Sequence, residues 1–176
     1  MPIGETNQHI LLSNLGQKLC QTFPSVGSVA ILNGIPMPKE AYNSVRKQYN
    51  SIVILNELHK YGGVTSAEKI LGVTNLDLYV PQLNFVFGQA ECPGKIALIS
   101  LYRLRPEFYG LKKNEELFLE RVLKEAVHEL GHTFGVRHCA DKRCVMYFSN
   151  SILDTDNKFP FFCANCLRKL KMNMEY

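Results

Sequence analysis

The stretch His128-Glu129-Leu130-Gly131-His132-Thr133-Phe134-Gly135-Val136-Arg137-His138 places three histidines and a glutamate at spacings that suit one metal ion. On a helix, residues four apart lie about 40° apart around the axis and roughly 6 Å along it, so His128 and His132 aim their imidazoles at a common point. A third ligand at helical spacing would run past the metal. Gly135 supplies the break, since a left-handed residue after a helix costs glycine almost nothing, and His138 then swings back. Three neutral imidazoles leave one position of a tetrahedral zinc open for water, the ligand count of a catalytic site. Zinc lowers the pKa of its water to about 7, and a neighbouring carboxylate takes the proton as the water attacks a polarised carbonyl. Glu129, directly after the first ligand, stands where that base must stand. A lone histidine is more often a surface or hydrogen-bonded core residue, but so many matched positions do not fit that explanation.

The segment that carries the motif reads as a helix. Asn114 is a suitable N-cap, Glu115 and Glu116 favour the positive end of the helix dipole, and the pattern runs to about Phe134. Leu119, Val122, Leu123, Ala126, Val127, Leu130 and Phe134 form its apolar stripe. His128 and His132 fall on the opposite side, so they are expected to face a cleft whose other wall comes from elsewhere in the chain.

Cysteines give a second cluster. Cys139 and Cys144 follow the histidines, and Cys163 and Cys166 form a Cys-x-x-Cys unit downstream. Four thiolates in two pairs suit a zinc site closed to water, which contributes folding energy. Two disulfides are the competing reading. Met1 to Leu12 has neither a charged leader nor an apolar signal core, and no run approaches transmembrane length. A cytoplasmic protein with a thiolate zinc site is therefore expected. Cys20 and Cys92 stand alone and read as buried or inert thiols. Val145-Met146-Tyr147-Phe148, between the cysteine pairs, can place Met146 beneath the histidine site.

Taken together, His-Glu-x-x-His-x-x-Gly-x-x-His followed by a methionine resembles the metzincin zinc peptidases. The third histidine followed at once by Cys139, then Cys144-Val145-Met146 and Cys163-Ala164-Asn165-Cys166, is similar to the archaemetzincins (archaelysins). The resemblance implies His128, His132 and His138 as catalytic zinc ligands, Glu129 as general base and Met146 as the Met-turn residue. Cys139, Cys144, Cys163 and Cys166 become ligands of a second, structural zinc, for two Zn²⁺ per chain. It also implies an α+β fold, a single metzincin-like catalytic domain over 1–176. That domain has a twisted mixed sheet and active-site helix in an upper part, about 1–135, and a small zinc-bound C-terminal part, about 136–176. The substrate class, a peptide or protein, comes from the resemblance, because the site chemistry alone would serve other carbonyl hydrolases.

Length and composition allow one domain with a substantial core. Gln8–Gln21 and Tyr49–Tyr61 read as helices. Val26–Leu32, Leu76–Val80, Asn84–Phe87 and Lys95–Leu101 read as strands, and Phe162–Met174 as a closing helix. Gly34-Ile35-Pro36-Met37-Pro38 and Glu91-Cys92-Pro93-Gly94 are loop punctuation. Asn84–Ala90 is expected to form an exposed edge strand to which a substrate adds. No stretch ahead of the fold reads as a propeptide, so control is expected to lie in substrate access.

The net charge of +4, with Arg168, Lys169 and Lys171 near the end, reads as a solvated helix face. The chain lacks the clustered basic and aromatic surface that nucleic acid needs, so neither nucleic acid nor membrane is expected as a partner. The alternative to a zinc metallopeptidase is a zinc-stabilised protein-binding or nucleic-acid-binding module. Glu129 weighs against it, because metal binding alone does not require that carboxylate.

Overall fold

The central strand of the main sheet, Ile96-Ala97-Leu98-Ile99-Ser100, is buried along its whole length. Its alternating side chains enter two different cores, Ala97 and Ile99 in one, Ile96 and Leu98 in the other. A continuous apolar run is what a strand covered on both faces needs. The computed structural model describes residues 1–4, 9–23 and 26–174. In chain order the elements are helix α1 (His9–Thr22), strands β1 (Tyr42–Asn43) and β2 (Gln48–Asn50), α2 (Ser51–Gly62), β3 (Ile70–Thr74), β4 (Leu78–Tyr79), β5 (Gly88–Ala90), β6 (Ile96–Ser100), α3 (Glu115–Thr133), α4 (Ile152–Asn157) and α5 (Ala164–Met174).

Among the described residues the strands form two small mixed sheets, β3-β6-β5 and β1-β2-β4. In the first, β3 runs parallel to β6 with Gly72 opposite Leu98, and β5 runs antiparallel to β6 with Gly88 opposite Ile99. Strand β5 is thus an edge. On one face of β6 lie α1 and α3, whose Leu12, Leu15, Leu19, Val122, Ala126 and Val127 share a core with Ala97 and Ile99. On the other lies α2, through Ile54, Leu55 and Leu58.

Several expected elements shift. The first helix begins at His9, and Gln8 lies outside the described residues. The Leu76–Val80 strand shortens to Leu78–Tyr79. Asn84–Phe87 forms no strand; Val86 makes one bridge to Leu78, and the ladder with β6 begins at Gly88. Val26–Leu32 is likewise not a strand. The outer edge of β3, beside which these residues lie, is already taken. The Met1 ammonium donates to Leu71 O, Val73 N–H to Met1 O and Ile3 N–H to Val73 O. Residues 26–32 instead line a cavity of ≈ 530 Å³, of mixed polar and apolar walls, with α1 and β3. No described helix is long and apolar enough to cross a membrane.

Candidate metal centres and active site

Helix α3 starts where the sequence places it, with Asn114 Oδ1 accepting from Leu117 N–H at 3.0 Å. Its end is built around Gly135, at φ +78°. Gly135 N–H donates to His132 O at 2.7 Å and Val136 N–H to Gly131 O at 3.1 Å. This pair of bonds closes the helix with a left-handed residue. Asn173 Nδ2, from α5, donates to Phe134 O at 2.7 Å and satisfies a further terminal carbonyl. The chain turns back, and His138 arrives beside the two helical histidines.

Two carbonyls then orient the imidazoles. His128 Nδ1 lies 2.7 Å from Val145 O, and His132 Nδ1 2.8 Å from Val136 O. A carbonyl can only accept, so both Nδ1 atoms carry the hydrogen and both Nε2 atoms present lone pairs. Those Nε2 atoms are 3.2 Å apart, and His138 Nε2 is 3.2 Å from His132 Nε2. Lone pairs so close repel unless a cation lies between them. Tetrahedral zinc with Zn–N bonds of about 2.0–2.1 Å holds its nitrogens about 3.3–3.4 Å apart. The histidines fit zinc. His128 is buried, His132 half-buried and His138 exposed, so the group opens from the interior to the surface. Burial holds all three imidazoles below the ordinary histidine range, His132 at about 4. They are therefore neutral and available as ligands at neutral pH.

Met146 is fully buried beneath them. A Cβ built on Gly131 would lie 2.6 Å from Met146 Sδ, so the glycine between the helical histidines is what lets the thioether seat there. Phe148 packs edge-on against His138, centroids 5.0 Å apart.

Glu129 is buried, and burial, then the nearby Glu125 carboxylate, push its pKa well above the usual carboxylate range. It presses on the edge strand. A Cβ built on Gly88 would lie 2.6 Å from Glu129 Cγ and 2.7 Å from Leu98 O. Gly88→Ala is therefore expected to displace Glu129 or the strand and to lower kcat by about 10- to 100-fold, the scale of an ångström's misplacement. Metal content should be unchanged. Steady-state kinetics with elemental analysis checks this, and an unaltered kcat would mean that the strand yields without moving the carboxylate.

The four cysteines predicted as a cluster also converge. All are free thiols, with their sulfurs within 4.8 Å of one another. Cys139 Sγ and Cys163 Sγ are 3.8 Å apart, too far for a disulfide and close to the about 3.8 Å that tetrahedral zinc with Zn–S bonds of about 2.3 Å imposes. Burial and its crowding by the other thiols push the Cys166 thiol up, a cost that a bound cation removes. The disulfide alternative does not fit this geometry. Cys139 N–H donates to Met146 O and Cys163 N–H to Cys144 Sγ, so the cluster is tied to the turn beneath the histidines. Of the two cysteines outside the cluster, Cys20 is half-buried and Cys92 is exposed.

Sequence reasoning missed a layer of buried charge beside the site. Arg121 makes a two-point ion pair with Asp156, at 2.7 Å for each contact, and donates to Leu104 O. Lys124 donates to Asp156 O, and Lys158 pairs with Glu125 at 3.0 Å. Arg121, Lys124 and Glu125 stand on α3 outside the apolar stripe read from the sequence, and that reading gave them no role. Lys124 also pairs with Glu120 one turn earlier at 2.7 Å, a local i,i+4 contact, but the partners Asp156 and Lys158 lie on α4 and the residue after it, beyond the reach of any spacing rule.

Comparison with known proteins agrees with this geometry. Residues 28–172 match the model of peptidase family M54. The archaemetzincin of Methanocaldococcus jannaschii is 50% identical over 170 residues, spanning 97% of this chain and 90% of that protein. The archaemetzincin of Pyrococcus furiosus is 45% identical over 174 residues, spanning 97% and 90%. The crystal structure of archaemetzincin from Methanopyrus kandleri superposes with a TM-score of 0.86 at 38% identity, covering 99% of this chain and 93% of that one. That from Archaeoglobus fulgidus, complexed with malonate, superposes with a TM-score of 0.77 at 38% identity, covering 96% of each chain. The chain belongs to peptidase family M54, the archaemetzincins, and is a zinc metallopeptidase.

Proposed function

We propose that the chain hydrolyses peptide bonds with Glu129 as general base and with His128, His132 and His138 holding the catalytic zinc. The convergence of three Nε2 atoms, two of them held as lone-pair donors by carbonyls, carries this reading. A zinc ion held by these histidines would supply Lewis acidity, polarising the substrate carbonyl and lowering the pKa of the attacking water. Glu129 takes the proton and returns it to the leaving amine, a role suited to a buried carboxylate whose pKa stands above the usual carboxylate range. The carbonyls of Val145 and Val136 hold the imidazoles in the tautomer that leaves Nε2 free. An extended substrate adds to the edge of β5, where Gly88 brings the backbone against Glu129.

Cys139, Cys144, Cys163 and Cys166 hold a second zinc with a structural role. The His138–Cys139 peptide bond couples the two centres. We read the chain as one unit, about 1–135 carrying the sheets and α3, and about 136–176 organised by the cysteines. The free thiols suit a reducing compartment, and on that chemistry we place the protein in the cytoplasm.

A peptide-library digest with zinc-loaded protein tests the proposal. The open histidine site should release its metal to a mild chelator before the closed cysteine site. Cleavage should disappear with that first metal and return when zinc is restored. Cleavage that persists without it, or a fully loaded protein that binds nucleic acid in a salt-dependent way and cuts nothing, would put the binding-module reading first.

A further inference from the structure

Lys158 is among the most deeply buried side chains of the molecule. An ammonium at such depth must be paired and hydrogen-bonded to persist. Its Nζ is 3.0 Å from Glu125 Oε1 and 3.5 Å from Tyr147 O. Thr155 Oγ1 donates to the same Glu125 oxygen at 3.1 Å. One group thus joins α3, a turn before the histidines, to the Cys144–Tyr147 turn beneath them.

The backbone relays that junction to the metal centre. Immediately after Lys158, Phe159 N–H donates to Arg143 O at 2.8 Å, and Val145 N–H donates to Phe161 O at 3.0 Å. Val145 is therefore gripped from opposite sides, its N–H by residue 161 and its C=O by His128 Nδ1. A shift of the 158–161 segment passes through one residue into an imidazole. Docking of α4 does not depend on Lys158, because Arg121 and Lys124 already hold Asp156. The Lys158–Glu125 pair is an additional tie, at the end of α4 that adjoins the turn. We propose that Lys158 is a positioning residue of the histidine centre, its ammonium clamping the Cys144–Tyr147 turn to Glu125 so that Val145 O stays where it orients His128.

The proposal takes His128 to be a zinc ligand, as in the function proposed above, and its test does not depend on peptide cleavage. Three variants are compared with the unmodified protein: K158M, the neutral pair E125Q/K158M, which leaves no unpaired buried charge, and the conservative K158R. Zinc affinity is measured by competition with a chromophoric chelator, and cobalt(II) reports each site separately through its visible spectrum. K158M and E125Q/K158M should both weaken the histidine site by about 10-fold or more, the range seen when supporting contacts of ligating histidines are lost. Their ligand-field bands should change, the thiolate-to-cobalt bands of the cysteine site should not, and K158R should recover most of the affinity. Unmodified affinity and cobalt bands in E125Q/K158M would overturn the proposal. So would a collapse of fold or of both sites together in K158M and E125Q/K158M, since the pair would then serve the whole fold and not this centre. Full turnover in an E129Q protein would remove the general-base reading and leave the zinc-affinity result standing.

Discussion

Glu129→Gln is expected to lower turnover by about 10²- to 10⁴-fold, the range for losing a positioned general base, or about 3–5 kcal/mol of transition-state stabilisation. The side chain keeps its size, so its fit against Gly88, where a Cβ would lie 2.6 Å from Cγ, is preserved. Zinc should stay, because His128, His132 and His138 are untouched and their carbonyl partners are Val145 and Val136, not Glu129. Stability should hold or rise, since the substitution replaces a buried ionisable group by a neutral amide. His132→Ala, by contrast, should lose both metal and activity, because two imidazoles hold zinc poorly. Turnover and elemental analysis on the same preparations separate these cases. An E129Q protein cleaving peptides at the unmodified rate would show that the observed activity came from another site or a contaminant.

Cys166→Ser should act first on folding. Cys166 is buried on the first turn of α5 and its sulfur belongs to the four-cysteine group. A serine hydroxyl is a poor replacement for a thiolate, and the free energy of structural zinc, about 10–16 kcal/mol in small domains, is folding free energy. Losing even about 4 kcal/mol in a chain of this size lowers the melting temperature by about 8–16 °C. Activity should fall with it. Cys139 shares a peptide bond with His138 and is tied to Met146 O, so a loosened cluster loosens the third histidine. An unchanged melting temperature with both metal occupancies intact would show that this cluster has no structural role.

Reading the chain worked best where the relevant partners are neighbours in sequence. The spacing of His128 and His132, the Asn114 cap, the left-handed Gly135 and the Cys-x-x-Cys unit are relations within one element or turn. Helical geometry and backbone sterics set them before anything packs. Even the acceptor that orients His132 is only four residues away. The acceptor for His128 is not: Val145 lies 17 residues on, and its position depends on how the turn beneath the helix is held.

What only the tertiary structure decided concerns edges and partners. Val26–Leu32 has strand propensity, but propensity does not say which backbone edge is vacant, and Met1–Ile3 occupies the edge of β3. Asn84–Phe87 has the same pattern, yet the ladder begins at Gly88, where a residue without a side chain can approach Glu129. Nothing local marks Arg121, Lys124 and Glu125 for burial, because an unpaired charge must be hydrated. They are buried because Asp156 and Lys158, more than thirty residues away, arrive to pair with them. By itself the sequence determined the angular relations along single elements, and with them which side chains make up the two candidate donor groups. Which donors are orientated, which charges lose their water and which strand meets the carboxylate were decided by distant segments, whose pairing no local pattern encodes.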